Sequence, residues 1–586
     1  MARARHVEEG GSMGAVRAEA PARVRSRLGG DIPWYVGAVL VGCALNIAAA
    51  IRQPYSYDEI QQITPYGSNS IVEILSATRQ PPLDPLLGAL VQHVLGVGQL
   101  RQHLVPLLAG IGTLTLMSLL LRRLRLGPAG AFAVLVLATA PLMVRYSTYT
   151  RPYALPLFLM VLFAYAAQKY LDEGRRGWLV VAAVTAVALP LTRVAEPVVF
   201  LLTTAAILAF LSCRGRLSWA QSGPLIAASG GTLVLVGLPM YLLLAARAGS
   251  FYDPSPSGVL DRFGTGVREI ATAVPPLLAT SFPWWPATLL VIVTALALPA
   301  SRRQLSQWWM WWPFLAAPVV FLLAYHFLNP FSFFAIPYRS RSLYFFLPAY
   351  VLVIAALTAV VATGKATSPR LRIGLSVLLG ATLVGQLPAT ADVVLRNAAP
   401  DFGAISQVLT DDVPDDAIVL YDRPSPAGQS RQPFLGTPRY MGTTPYVQTV
   451  SDLVDDSDYI PENGPVYVLV NGQCASPGRC EPTRTPWDED VPGWQIAYQV
   501  ERFTLYEPTE GQAGPAGVIA ALRAVGDALG PELGYVETFT AATLLEEQGR
   551  SAEGKALIEQ MYSEATPEVA QRIRDMAEQD QLDPFE

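Results

Sequence analysis

The sequence predicts an α-helical polytopic membrane protein of about eleven transmembrane helices, followed by a C-terminal extracytoplasmic α/β domain that ends in helices. Three observations carry this reading. Of the 586 residues, 52% are hydrophobic and 15% charged, which is too apolar for an ordinary soluble chain of this length. Apolar runs of about 20 residues, long enough to cross a hydrocarbon core, recur between short polar breaks. Charge is also divided: 33 of the 47 Asp+Glu but only 12 of the 42 Lys+Arg lie after Thr390. A basic apolar part is therefore followed by an acidic polar one.

Residues 1–31 hold six Arg and no apolar periodicity, and read as a disordered cytoplasmic tail. A long basic region with no small-residue cleavage site after the first apolar run argues against a signal peptide. Spans are expected near 32–51, 103–121, 129–146, 152–171, 177–193, 196–212, 220–245, 283–300, 308–328, 343–362 and 373–390. With the tail inside, the breaks up to Thr390 place 19 Lys+Arg on the cytoplasmic face and 11 outside. That asymmetry obeys the positive-inside rule and puts the C-terminal domain outside the cell membrane.

The first outer loop, 52–102, is long and neither fully apolar nor disordered. Ser70-Ile-Val-Glu73 has the spacing of a capping box that opens a short helix with Ile71, Ile74 and Leu75 on one face. The prolines of Arg79-Gln80-Pro81-Pro82-Leu83-Asp84 end it and start a second apolar stretch, 86–97, too short to span. Two helices lying on the membrane surface are expected here. At the start of this loop stands an acid pair, Asp58-Glu59, where the chain first leaves the bilayer. A solvated loop pair needs no function, but ionisable groups at a membrane exit are functional candidates. The Trp-rich run Trp308 to Trp312 reads as an interfacial belt. The outer loop 246–282 reads as a lid or as a linker.

An acid pair just after the first span, surface helices and a Pro-Pro-Leu sequence together resemble the GT-C superfamily of membrane glycosyltransferases. The protein O-mannosyltransferase and aminoarabinose transferase branches are the nearest in pattern. Two later stretches add to the resemblance. Tyr146-Ser-Thr-Tyr149-Thr-Arg151-Pro-Tyr153-Ala-Leu is similar to the family's Tyr-Ser-x-Glu-Ala-Arg-x-Tyr-Ala-Leu segment. Tyr338-Arg339-Ser-Arg341-Ser-Leu-Tyr344-Phe-Phe-Leu-Pro348-Ala is similar to its Arg-Tyr-Leu-Leu-Pro-Ala segment. The likeness covers roughly residues 32–390. It departs at Gln80, where relatives often have Lys or His, at Tyr149, which replaces a Glu, and at Arg193, where many relatives carry a His.

The resemblance implies transfer of a sugar from a polyprenyl-phosphate carrier to an acceptor hydroxyl on the outer face. Such a step needs a carboxylate to take the hydroxyl proton and fixed cations to offset charge on the departing phosphate. Asp58 is then the expected base, and Glu59 orients the acceptor or tunes Asp58. Arg79, Arg151, Arg339 and Arg341 are the expected phosphate ligands, although each could instead snorkel to lipid head groups. Asp84, Tyr153 and Tyr344 are candidate substrate contacts; Asp84, like Glu196, could equally be paired structurally, Glu196 with Arg193. The expected partners are the polyprenyl-phosphate sugar, membrane lipids and a glycan, lipid or protein acceptor. No cofactor is expected, and a divalent cation is left open. The rival class is a multi-span transporter or flippase of a lipid-linked substrate, although no internal repeat of the kind many transporters show is visible.

The membrane part, 32–390, gives way to an α/β domain over 391–512 and a helical segment over 513–586. Strands are expected at 417–421, 465–470 and 494–506. Helices are expected at 538–548, 552–562 and 567–579, with Gly549 at the first turn, a pattern like a lone tetratricopeptide unit. Cys474 and Cys480 have the spacing of a short disulfide in an oxidising compartment, and no His or third Cys is close enough for a metal site. Cys43 and Cys213 read as packing residues. No phosphate-binding Gly loop or basic nucleic-acid face is present, so no nucleic-acid partner is expected.

Overall fold

The computed structural model describes residues 30–52, 59, 62–78, 80–96, 99–247, 285–328, 343–363, 368–395, 408, 412–414, 417–422, 446–449, 464–471, 493–500, 503–509, 513–529 and 535–579. The membrane part begins with α1 (Ile32–Arg52), α2 (Ile71–Thr78), α3 (Leu83–Leu95), α4 (Leu104–Arg123), α5 (Gly127–Ala138) and α6 (Pro141–Ser147). It continues with α7 (Ala154–Glu173), α8 (Arg176–Thr192), α9 (Ala195–Cys213), α10 (Trp219–Thr232) and α11 (Leu238–Arg247). The remaining helices are α12 (Trp285–Ala297), α13 (Pro299–Gln307), α14 (Trp311–Leu328), α15 (Leu347–Thr363) and α16 (Pro369–Leu395). A helix lies over every stretch in which a span was expected. Among the described residues six helices are long and apolar enough to cross a membrane, or seven if the bent pair α5–α6 is one span.

The chain is a multi-pass membrane protein, and its exposed apolar faces show where lipid would lie. Val180 and Val184 on α8 are 59% and 64% exposed, and Ile373, Val377 and Val384 on α16 are 63–65% exposed. Side chains at that spacing form a stripe on one helix face that water would penalise and hydrocarbon would not. The interior is packed by the opposite faces: α1 lies against α5, α4 and α8 against α7, and α9 against α14. α5 is buried nearly all round, with Ala133, Val134, Val136 and Ala138 fully covered.

The expected single span 129–146 is broken. α5 and α6 meet at a bend of 61°. Pro141 has no N–H to give to the carbonyl of Leu137, so the Ala140 N–H takes that acceptor instead, at 3.1 Å. The carbonyls of Val136 and Thr139 are then claimed by α16. Gln386 Nε2 donates to Val136 O at 2.8 Å and to Thr139 Oγ1 at 2.6 Å, and Thr390 Oγ1 donates to Thr139 O at 2.6 Å. A break at membrane depth survives only where neighbouring protein replaces the lost backbone bonds.

Three other expectations change. The capping box is half formed: the Glu73 N–H reaches Ser70 Oγ at 3.4 Å, but the Glu73 carboxylate accepts from Ser68 Oγ, which also accepts from the Ser70 N–H. The Trp run is mostly core rather than belt. Trp308, Trp309 and Trp311 are buried and Trp309 Nε1 donates to Gln168 Oε1 at 2.6 Å, leaving Trp312 exposed. Of the two membrane cysteines, Cys213 is exposed at the end of α9 rather than packed.

One sheet is formed by β1 (Ile418–Asp422), β2 (Tyr446–Thr449), β3 (Val466–Asn471), β4 (Trp494–Val500) and β5 (Phe503–Pro508). The strand order is β2-β1-β3-β5-β4. β1 runs parallel to β2 and β3, whereas β5 is antiparallel to β3 and β4. The run expected as one strand over 494–506 is thus a hairpin, and β2 adds a strand not anticipated. Four helices follow: α17 (Gly514–Leu529), α18 (Tyr535–Glu547), α19 (Ser551–Glu564) and α20 (Pro567–Gln579). Gly549 turns α18 into α19 at φ +75°, a left-handed backbone that glycine adopts with no Cβ penalty.

Candidate active site

Three segments distant in sequence meet at one end of the helix bundle. The segment between α1 and α4 supplies Glu59, Gln62, Tyr66 and Asp84. The α6–α7 turn supplies Tyr146 to Tyr153. The start of the stretch before α15 supplies Tyr344.

Glu59 is fully buried, and its Oε1 accepts the Thr150 N–H at 2.7 Å. The same oxygen lies 3.5 Å from Nε2 of His103, which is also fully buried. Nδ1 of that imidazole is 3.2 Å from the Ala50 carbonyl, and since a carbonyl only accepts, Nδ1 carries the proton. One carboxylate therefore ties the α1 end, the α4 start and the α6–α7 turn together. The turn itself is tight: Arg151 N–H donates to Tyr149 O and Tyr153 N–H to Arg151 O, each at 2.7 Å across two residues.

Asp84, in the first turn of α3, is 6% exposed. Gln62 Nε2 donates to Asp84 Oδ2 at 2.6 Å and to Tyr66 Oη at 2.9 Å. Tyr66 is seated against Gly88, where a Cβ would fall 2.3 Å from the ring, so only glycine leaves room. Burial pushes the Asp84 carboxyl up to about 6, against the Gln62 hydrogen bond and the positive charge of Arg151, which both lower it. A carboxyl that ionises less readily folded than unfolded stabilises the fold below its unfolded value, near 4. That advantage is lost as pH rises through about 6. At about 1.4 kcal/mol per unit, the loss is about 3 kcal/mol. Asp84→Asn is accordingly expected to flatten the decline in thermal midpoint between pH 4 and 7 in detergent. An identical pH slope for mutant and wild type would rule out Asp84 as its source.

The aromatic wall is made of Tyr146, Tyr149, Tyr153 and Tyr344. Tyr146 lies 5.2 Å from both Tyr153 and Tyr344, and 6.0 Å from Tyr149, ring centroid to centroid. Arg193 stacks its guanidinium 4.8 Å over the Tyr153 ring. Its Nη2 donates to Glu196 Oε1 at 3.0 Å while Nε holds Oε2, a bidentate pair. Tyr153 and Tyr344 are buried, 4% and 0% exposed, so their rings build the wall and are not presented to bulk water.

Of the expected site residues, the structure brings Glu59, Asp84, Arg151, Tyr153 and Tyr344 into this region. Asp58, Arg79, Arg339, Arg341, Cys474 and Cys480 lie outside the described residues, as does 248–282 of the loop read as a lid or linker. Among the described residues no group of three or more His, Cys, Asp or Glu side chains is placed to hold a metal. Sequence reasoning missed Gln62, Tyr66 and His103. The only signal for His103 was an imidazole at the predicted entrance of the second span.

Residues 79–241 match the family described as dolichyl-phosphate-mannose-protein mannosyltransferase. Among solved structures, apo ArnT from Cupriavidus metallidurans is 14% identical with a TM-score of 0.47, over 81% of this chain and 98% of that one. ArnT from the same organism bound to undecaprenyl phosphate is 15% identical with a TM-score of 0.45, over the same shares. The oligosaccharyltransferase AglB from Archaeoglobus fulgidus, in complex with an inhibitory peptide and a dolichol-phosphate, is 11% identical with a TM-score of 0.44, over 75% of this chain and 69% of that one. No curated protein sequence matches. Over residues 79–241, then, the chain carries a match to the dolichyl-phosphate-mannose-protein mannosyltransferase family, a branch of the GT-C superfamily that its ordered motifs resemble.

Proposed function

We propose that this protein moves a sugar from a polyprenyl-phosphate carrier to an acceptor hydroxyl on the outer face of the membrane. The observation that carries the reading is the convergence of the first-loop acid segment with the α6–α7 turn, through the Glu59–Thr150 bond. Asp58 precedes the pinned carboxylate by one residue in the sequence. In this reading Asp58 accepts the proton of the attacking hydroxyl as that oxygen meets the anomeric carbon. The bond from the anomeric carbon to the phosphate oxygen breaks, and the leaving lipid phosphate keeps the electron pair. Arg151, with Arg79, Arg339 and Arg341, offsets the charge that gathers there. Glu59 acts as a positioning residue, because its carboxylate is buried and its Oε1 already accepts the Thr150 N–H. Asp84 keeps Arg151 oriented, and the buried tyrosine wall backs the turn that carries it.

The eleven-span arrangement belongs to the same proposal, with the N-terminus inside and the sheet domain outside. The positive-inside count supports it, since it puts the α6–α7 turn and the first loop on one face. The test is direct. Purified full-length protein in proteoliposomes is given polyprenyl-phosphate sugars and an acceptor extract, and release of free polyprenyl phosphate is followed. Release coupled to a glycosylated product is the expected result. Movement of intact donor across the bilayer without release would place the protein among transporters instead.

A further inference from the structure

We infer that Gln386 and Thr390, on the last membrane helix, are positioning residues for the active site, acting through the α5–α6 elbow. The inference rests on the glycosyltransferase reading for its catalytic consequence and on hydrogen bonding alone for its geometry. α6 has seven residues, fewer than two turns, and it ends at Ser147, just past Tyr146 and just before the Thr148–Tyr153 turn. Six of its seven residues are buried and it packs against α4, α16 and α1, so its direction is set by those neighbours together with its joint to α5.

At that joint the backbone offers acceptors that no local backbone N–H fills, and α16 fills them. The Gln386 amide has two hydrogens and uses both, one on Val136 O and one on Thr139 Oγ1. Thr139 Oγ1 in turn donates its proton to Leu135 O at 2.8 Å, so the hydroxyl accepts and donates once each. The Thr390 hydroxyl has one proton and lies nearer to Thr139 O, at 2.6 Å, than to Gln386 O, at 3.0 Å. Gln386 and Thr390 are buried, as is Thr139, and water does not substitute for them without opening the packing.

The lever is short but sufficient. Tyr146 stands five residues beyond Pro141, about 7.5 Å along the axis at 1.5 Å per residue. A 10° swing at the elbow moves it by about 1.3 Å. A displacement of about 1 Å in a positioning element costs about 10²-fold in rate. The same swing would pull the Thr150 N–H away from Glu59, because the turn follows α6 directly.

The experiment compares Gln386→Met, Thr390→Val and Thr390→Ser in the full chain, each checked for a wild-type thermal midpoint in detergent. Two readouts are taken: amide hydrogen exchange, and kcat and KM for donor turnover. For Gln386→Met and Thr390→Val the expected result is faster exchange confined to 141–153 and a kcat lowered by about 10-fold to 10²-fold, with KM changed less. Thr390→Ser, which keeps the hydroxyl, restores both. Exchange unchanged over 141–153, or raised throughout the membrane helices with kcat per folded protein intact, would overturn the inference. If the wild type shows no transfer at all, the glycosyltransferase reading falls, and the exchange pattern still decides whether α16 holds the turn.

Discussion

Asp58→Asn is expected to lower turnover of a polyprenyl-phosphate sugar by about 10²- to 10⁴-fold, the usual span for removing a general base. The amide keeps the size and most of the hydrogen-bonding shape of the acid, so the thermal midpoint should stay within the scatter of surface substitutions. KM for the donor should change little, because the base acts on the acceptor hydroxyl in the transition state rather than on the bound ground state. Measuring polyprenyl phosphate release against donor concentration, at equal folded protein, separates these quantities. Turnover equal to wild type would remove Asp58 from the mechanism and pass the base role to another acid of the first loop.

Glu59→Ala should behave in the opposite way and strike the fold first. Its carboxylate is buried between the Thr150 N–H and the His103 imidazole. Truncation leaves the buried Thr150 N–H without its acceptor, at about 1–3 kcal/mol, and opens a void beside the imidazole that adds to this cost. Glu59→Gln keeps an oxygen for Thr150 and should cost less, about 1–2 kcal/mol, the range for a weakened buried hydrogen bond. Chemical unfolding in detergent tests the order Ala, then Gln, then wild type. A Glu59→Ala protein as stable as wild type but catalytically dead would make Glu59 a reacting group instead. The neighbouring acids thus carry separable predictions, one for rate and one for stability.

Much of the membrane part was legible because lipid imposes a length. A run of about 20 apolar residues bounded by Arg has few alternatives, and every expected stretch holds a helix. What could not be read was which proline breaks a span. α8, α10, α14 and α16 contain Pro190, Pro224, Pro318 and Pro388 inside the helix, whereas among the described residues Pro141 begins a new helix after a bend of 61°. At the Pro141 break the acceptors are met by Gln386 and Thr390, far away in the chain, and no local pattern announces them. The candidate site divides the same way. Glu59, Arg151 and Tyr344 sat in recognisable segments, whereas Gln62, Tyr66 and His103 are single polar residues whose partners are chosen by the fold. Likewise Glu73 looked like half of a reciprocal cap, but Ser68 captured its carboxylate first.

The elbow also orders events during synthesis. Val136 leaves the ribosome 250 residues ahead of the Gln386 amide that takes its carbonyl. At roughly 5–20 residues per second that interval lasts about 12–50 s. Throughout it, two carbonyls within an inserted segment have no claim from the helix that will satisfy them. The α5–α6 elbow therefore lacks its hydrogen bonds from α16 until that last membrane helix has been made.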